Sequence, residues 1–409
     1  MRGNLTNCRS CGGNNLEVFI DLGDLPLADR MLLPHQVTDN EPYFPLEVAL
    51  CHDCALVQIT ETVAPEVLFD SDYPYFSSFS DYLLSHSREN ALELIELRSL
   101  GSESLVVEVA SNDGYLLRNF VEKGVPALGI DPAPGPVAAA RKAGVDSMQA
   151  FFGKSLAEQL RDEGKCADVI IANNVLAHVA DTNGLVAGFA TLLKPDGVLV
   201  IEVPYVRDLI DNTEFDTIYH EHLCYFSLTS LDKLFRRHGL YINDVRRLSI
   251  HGGSLRIYME LGEAVQPSVI GLLEEENARG LDSIDYFRGF AERVSDIRNT
   301  LREIISDLRS DGQRLVGYGA AAKGTTLLNY VGIGPDDLEY IVDRNIHKQG
   351  RVMPGQHIPI ADPKRLLEDQ PDYVLLFPWN FAEEILSQQA TYRQRGGKFI
   401  VPVPSPQII

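Results

Sequence analysis

The sequence predicts an α/β fold in three sections, on three observations. Two Cys-x-x-Cys pairs stand in a turn-rich stretch near the N-terminus. Short apolar runs alternate with helical patterns over the middle of the chain. The alternation resumes after a long amphipathic helix. A chain of 409 residues has room for two or three domains, and its texture places them at 1–70, 71–262 and 263–409.

Composition narrows the function classes. Hydrophobic residues make up 45% and charged residues 23%, the balance of a globular protein. No apolar run is long enough to cross a bilayer, and Met1-Arg2-Gly3-Asn4 leads into no apolar signal core. A cytoplasmic protein without a membrane partner is expected. The net charge of -22 would repel a phosphate backbone, so nucleic acid is not an expected partner. A monomer is expected.

In the first section, Cys8-x-x-Cys11 and Cys51-x-x-Cys54 have the spacing at which both sulfurs of a knuckle reach one ion. Two knuckles complete a tetrahedral thiolate shell suited to zinc, with no position open to substrate, so the metal is expected to be structural. Cys166 and Cys224 stand alone.

In the second section, Ser104–Ala110, Ala127–Asp131, Ala167–Ala172 and Gly197–Val203 read as buried parallel strands of a Rossmann-like sheet. Glu108-Val109-Ala110-Ser111-Asn112-Asp113-Gly114 reads as strand end, tight turn and helix start. Its small residues Ala110 and Gly114 let a ligand approach the backbone. Glu108 can meet a cationic amino acid moiety, and Asp131, ending the next strand, can accept ribose hydroxyls. No diphosphate-cradling G-x-G-x-x-G is present. Two acids at this interval around a turn that includes Asn112 favour S-adenosylmethionine over a dinucleotide. The third strand runs into Asn173-Asn174-Val175-Leu176-Ala177-His178, which puts Asn173, Asn174 and His178 near the donor methyl or the acceptor, with one Asn available to cap the next helix.

The fourth strand is followed by a segment ending Tyr219-His220-Glu221-His222-Leu223-Cys224-Tyr225-Phe226. Making a carbon nucleophilic means removing a proton beside a carbonyl, work suited to a neutral imidazole. A tyrosine hydroxyl can stabilise the enolate oxygen, and a carboxylate can orient the imidazole. His222, Tyr219 and Glu221 are the candidates, and His220 fits a core histidine. Asp72-Tyr73-Pro74-Tyr75-Phe76 lies where a lid over the sheet edge would fall.

In the third section, Phe287, Phe290, Val294, Ile297, Leu301, Ile304 and Leu308 mark one long helix closed by Asp311-Gly312. Strands are expected at Arg314–Gly319, Glu339–Asp343, Asp372–Phe377 and Lys398–Pro402, forming a smaller Rossmann-like unit. Gly317-Tyr318-Gly319, Lys323 and Asp343 could be a dinucleotide fingerprint, but Ala322 stands where the third glycine belongs. A bare scaffold is the other reading.

Together these motifs resemble the three-domain sugar C-methyltransferases that build branched deoxysugars for antibiotics and cell-surface glycans. The resemblance runs nearly end to end. It rests on the two Cys pairs, Asp72-Tyr73-Pro74-Tyr75, Glu108–Gly114, Tyr219-x-Glu221-His222, His251-Gly252-Gly253 and Gly317-Tyr318-Gly319-Ala320-Ala321-Ala322-Lys323. It implies a class I methyltransferase sheet and, as acceptor, a dTDP-linked 4-keto deoxysugar methylated at C-3'. It also implies His222 as base and Tyr73 as a catalytic tyrosine, with Tyr75 the alternative match. Asn174 and His178 would touch the sugar, and Lys323 would lie near the diphosphate. Ala110 and Asn112 depart from the usual methyltransferase glycines. Competing readings are methyl transfer to nitrogen or oxygen of another small molecule, and a non-catalytic binder of nucleotide sugar or S-adenosylmethionine.

Overall fold

The computed structural model describes residues 5–68, 78 and 81–409. The described residues build three sheets. The first is antiparallel, in the order β1 (Leu16–Pro26), β2 (Tyr43–Cys51), β3 (Val57–Ile59) and β9 (Cys224–Tyr225). The turn-rich first section therefore carries three strands among its described residues. Period-two alternation is broken there by register shifts at Val18/Ile20 and Asp21/Asp24, which hide the strands from pattern reading. Its fourth strand comes from the middle section, with Val57 opposite Tyr225 and Gln58 opposite Cys224.

The central sheet has seven strands in the order β10 (Tyr241–Leu248), β11 (Ser254–Glu260), β8 (Leu193–Pro204), β7 (Ala167–Ile171), β4 (Val106–Val109), β5 (Ala127–Asp131) and β6 (Asp146–Gln149). The four expected strands are present and parallel to one another. The β10–β11 hairpin adds an antiparallel edge. From β4 the chain moves out through β5 and β6, then returns to β7 on the other flank. The crevice of a doubly wound sheet therefore opens at the carboxyl ends of β4 and β7.

The third sheet repeats this plan in the order β14 (Ile360–Ala361), β13 (Ile341–Val342), β12 (Leu315–Tyr318), β15 (Tyr373–Leu376), β16 (Lys398–Val401) and β17 (Gln407–Ile408). Its crevice lies where β12 meets Gly319 and β15 meets Pro378-Trp379. The long helix runs Phe290–Ser310, with Phe290, Val294, Ile297 and Leu301 buried as the periodicity predicts. Phe287 belongs to a separate short helix, Ile284–Phe287, because Gly289 at φ +78° breaks the run.

The sections are tied together by buried polar groups. Arg9, inside the first knuckle, donates to the carbonyls of Ile59 and Glu61. Its own carbonyl accepts from Thr182 Oγ1 and Asn183 Nδ2 of the central unit. Glu276, on the helix Pro267–Arg279, is fully buried and accepts from Tyr205 Oη and the amides of Leu228 and Thr229. That places a carboxylate at the N-terminus of the helix Leu228–Arg236, where the helix dipole favours it. No helix among the described residues is long and apolar enough to cross a membrane.

Candidate active site

The metal-binding cysteines converge as the spacing predicts. The four sulfurs of Cys8, Cys11, Cys51 and Cys54 all lie within 4.8 Å of one another, and no disulfide joins them. Cys8 and Cys54 sulfurs are 3.5 Å apart, Cys11 and Cys51 sulfurs 3.6 Å. Zinc–sulfur bonds of ~2.3 Å in a tetrahedron give sulfur separations of about 3.8 Å, close to those of the two pairs, so the cage has the size zinc takes. The two knuckles repeat one another. Gly12 N–H donates to Cys8 O and Ala55 N–H to Cys51 O, with Gly12 at φ +74° and Ala55 at φ +62°.

The turn after β4 surrounds a buried carboxylate. Glu108 is 1% exposed, and its Oε2 meets no donor among the described residues. Burial, and then Asp131 and Asp113, push its carboxyl well up from the usual range. A buried acid without a counter-charge suits a ligand that brings an ammonium group. Asp131 accepts the Asn112 amide at 2.9 Å on one oxygen and the Ala133 amide at 2.8 Å on the other, leaving a lone pair on each for ribose hydroxyls. Ala110, Asn112 and Gly114 all have positive φ, which aims this turn over the strand ends. Gly114 turns its bare face to Val145 and Ala140, so its smallness serves packing beneath the turn.

Across the crevice, neither asparagine caps the next helix; Asp181 does, accepting the Gly184 amide. Asn173 accepts the Glu202 amide and so ties β7 to β8. Asn174 sits at φ +56°, and its buried side-chain oxygen meets no donor among the described residues. A buried triad that motif reading missed lies beside them. Glu202 accepts from Arg256 Nε at 2.7 Å and bonds His86 Nε2 at 2.9 Å, fastening the helix Asp81–Leu97 to β8. Its only sequence signal is a charged residue inside an apolar strand.

His222 is half-buried at the same edge. Its Nδ1 lies 2.9 Å from Thr217 O and its Nε2 2.9 Å from Tyr219 Oη. A carbonyl only accepts, so Nδ1 carries the hydrogen in the neutral ring and Nε2 presents its lone pair. The acceptor at Nδ1 is thus the Thr217 carbonyl, the place that expectation gave to a carboxylate. The His222 ring packs 4.8 Å from His178 and 6.3 Å from Tyr225, between centroids. Leu223 N–H donates to Ala177 O at 2.8 Å, which docks the His222 loop on the turn that carries His178. Burial pushes His178 down to about 4, keeping it neutral.

Glu221 turns toward the first section. Its Oε1 accepts the Asp29 amide at 3.3 Å, and Oε2 has no partner among the described residues. Burial, with Asp29 nearby, pushes it up to about 8. It lines a cleft shared with Asp29, Arg30, Met31 and Arg351. His220 is a core histidine, packed on Phe44 and bonded to Pro45 O. Tyr73 and Tyr75 lie outside the described residues.

Lys323 is at the start of the helix Ala322–Val331. Its Nζ donates to Asn380 Oδ1 at 2.6 Å and sits 4.4 Å above the Trp379 ring, near Asp216 and Glu214. The Gly252-Gly253 turn passes close beside it: a Cβ on Gly252 would lie 2.5 Å from Glu214 Oε2, and Gly252 has φ +93°. Asp343 spends both oxygens on the amides of Ala320 and Asn345.

Comparisons with known proteins agree with this arrangement. Residues 8–69 match a zinc binding domain family, residues 82–245 a methyltransferase domain family and residues 249–404 the C-methyltransferase C-terminal domain family. C-methyltransferase NovU of Streptomyces niveus is 35% identical over 408 residues, covering 99% of this chain and 97% of its own. A ubiquinone biosynthesis O-methyltransferase of Azorhizobium caulinodans is 27% identical over 122 residues, 30% of this chain and 47% of that one. A solved S-adenosylmethionine-dependent methyltransferase of Clostridium acetobutylicum is 12% identical at a TM-score of 0.36, over 46% of this chain and 94% of that one. The zinc-type cage, the crevice with its buried acid and the end-to-end likeness together place the chain in the sugar C-methyltransferase family, as an S-adenosylmethionine-dependent C-methyltransferase with a zinc-binding N-terminal section.

Proposed function

We propose that the enzyme methylates C-3' of a dTDP-linked 4-keto deoxysugar, in the assembly of deoxysugars for antibiotics or cell-surface glycans, with His222 as the base. The observation that carries this reading is the fixed imidazole: Nδ1–H bound to Thr217 O, and the Nε2 lone pair directed at the Tyr219 hydroxyl.

S-adenosylmethionine bound at the β4 crevice supplies an electrophilic methyl. Glu108 meets its ammonium group, and Asp131, in a turn shaped by Asn112 and Gly114, meets its ribose hydroxyls. Asn173 fixes the neighbouring strand end. His222 Nε2 removes the proton from the carbon beside the ketone, and the C–H electron pair moves to the ketone oxygen. The Tyr219 hydroxyl, released from Nε2 by the arriving acceptor, donates to that oxygen. The enolate electron pair would then form the carbon–methyl bond as the donor's sulfur–methyl bond breaks, its electrons staying on the sulfur of the departing S-adenosylhomocysteine, helped by proximity alone. Asn174 and the neutral His178 hold the sugar ring, and Tyr73 is the further catalytic tyrosine that the family resemblance implies.

Lys323, at the start of the helix Ala322–Val331, would lie near the nucleotide diphosphate, with Asp216 and Glu214 as its charged neighbours in the free enzyme. On this reading residues 1–70, 71–262 and 263–409 act as zinc, donor and nucleotide-sugar domains of a cytoplasmic monomer.

The test is to incubate the enzyme with S-adenosylmethionine and a dTDP-linked 4-keto-6-deoxyhexose and to locate the new methyl by NMR. A carbon–methyl bond at C-3' is expected. A methyl at C-5', the other carbon beside the ketone, would overturn the regiochemistry and keep the enolate chemistry. A methyl on oxygen would overturn both.

A further inference from the structure

The third section grips the His222 loop at three residues, Phe215, Asp216 and Ile218, that flank Thr217. The Phe215 ring packs 5.4 Å from Tyr330, between centroids. Asp216, fully buried, accepts the indole N–H of Trp379 at 2.7 Å on Oδ2. Thr217 presents its carbonyl to His222 Nδ1. Ile218 O accepts from Thr326 Oγ1 at 3.0 Å. The carbonyl that sets the tautomer and heading of the imidazole thus lies between two residues held by the same unit. Trp379 stands at the crevice of the third sheet, just beyond β15. It is the only tryptophan in the chain.

Asp216 is an unusual anchor. Its Oδ1 has no partner among the described residues, and Lys323 and Glu214 are its charged neighbours. A buried carboxylate holding one indole, with a lysine stacked on that indole, costs desolvation that a plain apolar contact would not. What it provides is direction, because a hydrogen bond fixes the turn Phe215–Thr217 more tightly than packing does.

We propose that Trp379 and Asp216 are positioning residues for methyl transfer: their hydrogen bond, made across two units, holds the Thr217 carbonyl and through it aims His222. The C-terminal unit then serves the chemical step as well as acceptor binding. The proposal rests on His222 being the base.

The experiment uses the full-length, zinc-loaded enzyme with S-adenosylmethionine and a dTDP-linked 4-keto-6-deoxyhexose. Trp379→Phe keeps the ring and removes only the N–H. It should lower kcat roughly ten- to a hundredfold, the cost of a misaimed catalytic group, with KM for S-adenosylmethionine and Tm unchanged. Solvent deuterium uptake at the sugar carbon should slow in step with kcat. Asp216→Asn keeps an oxygen to accept the indole N–H and should retain most of the turnover that Asp216→Ala loses. Trp379 fluorescence should shift in Asp216→Ala and stay near wild type in Asp216→Asn.

Unchanged kcat in Trp379→Phe overturns the proposal. So does a loss confined to Tm or donor KM, with Asp216→Asn as damaging as Asp216→Ala. His222→Asn, run alongside, separates the two claims. If it turns over normally, the assignment of the base has failed. If it is inactive while Trp379→Phe is normal, only the positioning claim has failed.

Discussion

The Tyr219 hydroxyl lies 2.9 Å from Nε2 of His222, with the two rings 4.0 Å apart between centroids. The phenol is therefore placed to donate, first to the imidazole and then to an oxygen that develops negative charge beside it. Tyr219→Phe removes that donor and keeps the ring. Steady-state kinetics should show kcat reduced about a hundredfold, the usual cost of losing one oxyanion donor, and KM for S-adenosylmethionine unchanged. A normal kcat in the variant would remove Tyr219 from the mechanism.

Glu108 is buried and its Oε2 meets no donor among the described residues, and on the proposed reading the bound donor supplies its counter-charge. Hydrogen bonds to charged groups contribute about 1.5–3 kcal/mol, which corresponds to roughly ten- to a hundredfold in affinity. Calorimetry on Glu108→Gln should show S-adenosylmethionine weakened by that amount. The apo variant should be about as stable as wild type, because burial already disfavours the charged form of Glu108. Equal affinity in both proteins would mean that the carboxylate does not face the donor.

The zinc-binding section reaches the catalytic loop through β9, which pairs with β3 two residues after His222. Stripping the metal should therefore abolish activity, although a four-thiolate site offers no open coordination position. Cys51→Ser should lower Tm and methyl transfer together. Full activity after verified metal loss would show that the sheet persists without its cage.

Glu221 is pushed up to about 8 by burial, with Asp29 adding to the shift. An ordinary Glu titrates near ~4.3, so the folded protein holds this proton more tightly than the unfolded chain does. Its contribution to stability is full below about 4.3 and is lost as pH rises toward about 8. His178 and His220 have the opposite sign: burial pushes both down to about 4, and their contribution is lost as pH falls below about 6.5. Thermal melts between about pH 6 and about pH 9 should show a shallower fall for Glu221→Gln than for wild type. Parallel curves would mean that Glu221 is ionised throughout.

The parts of the fold legible in the sequence were those set by short-range pattern. The Ala127–Asp131 strand, the helix face from Phe290 to Leu301 and the paired cysteines each follow from local spacing. The β1–β3 sheet was not legible, because bulges break its alternation and its last strand lies far away in sequence. In the site, His222 and Tyr219 were readable as residue types beyond a strand end, and Glu108 as an acid within an apolar strand. The Thr217 carbonyl was not, since a main-chain acceptor leaves no mark on sequence. Asp216 and Trp379 were missed for a related reason: each looks ordinary alone, and their contact joins two units.

The central claim is that one imidazole draws hydrogen from a carbon beside a ketone. The most direct measurement is deuterium uptake from D2O into a dTDP-linked 4-keto-6-deoxyhexose, followed by NMR with and without S-adenosylmethionine. Wild type should place deuterium at C-3' when the donor is withheld. His222→Asn should place none there and should still bind S-adenosylmethionine with wild-type affinity. Deuterium entering C-3' at the wild-type rate in that variant would contradict the account.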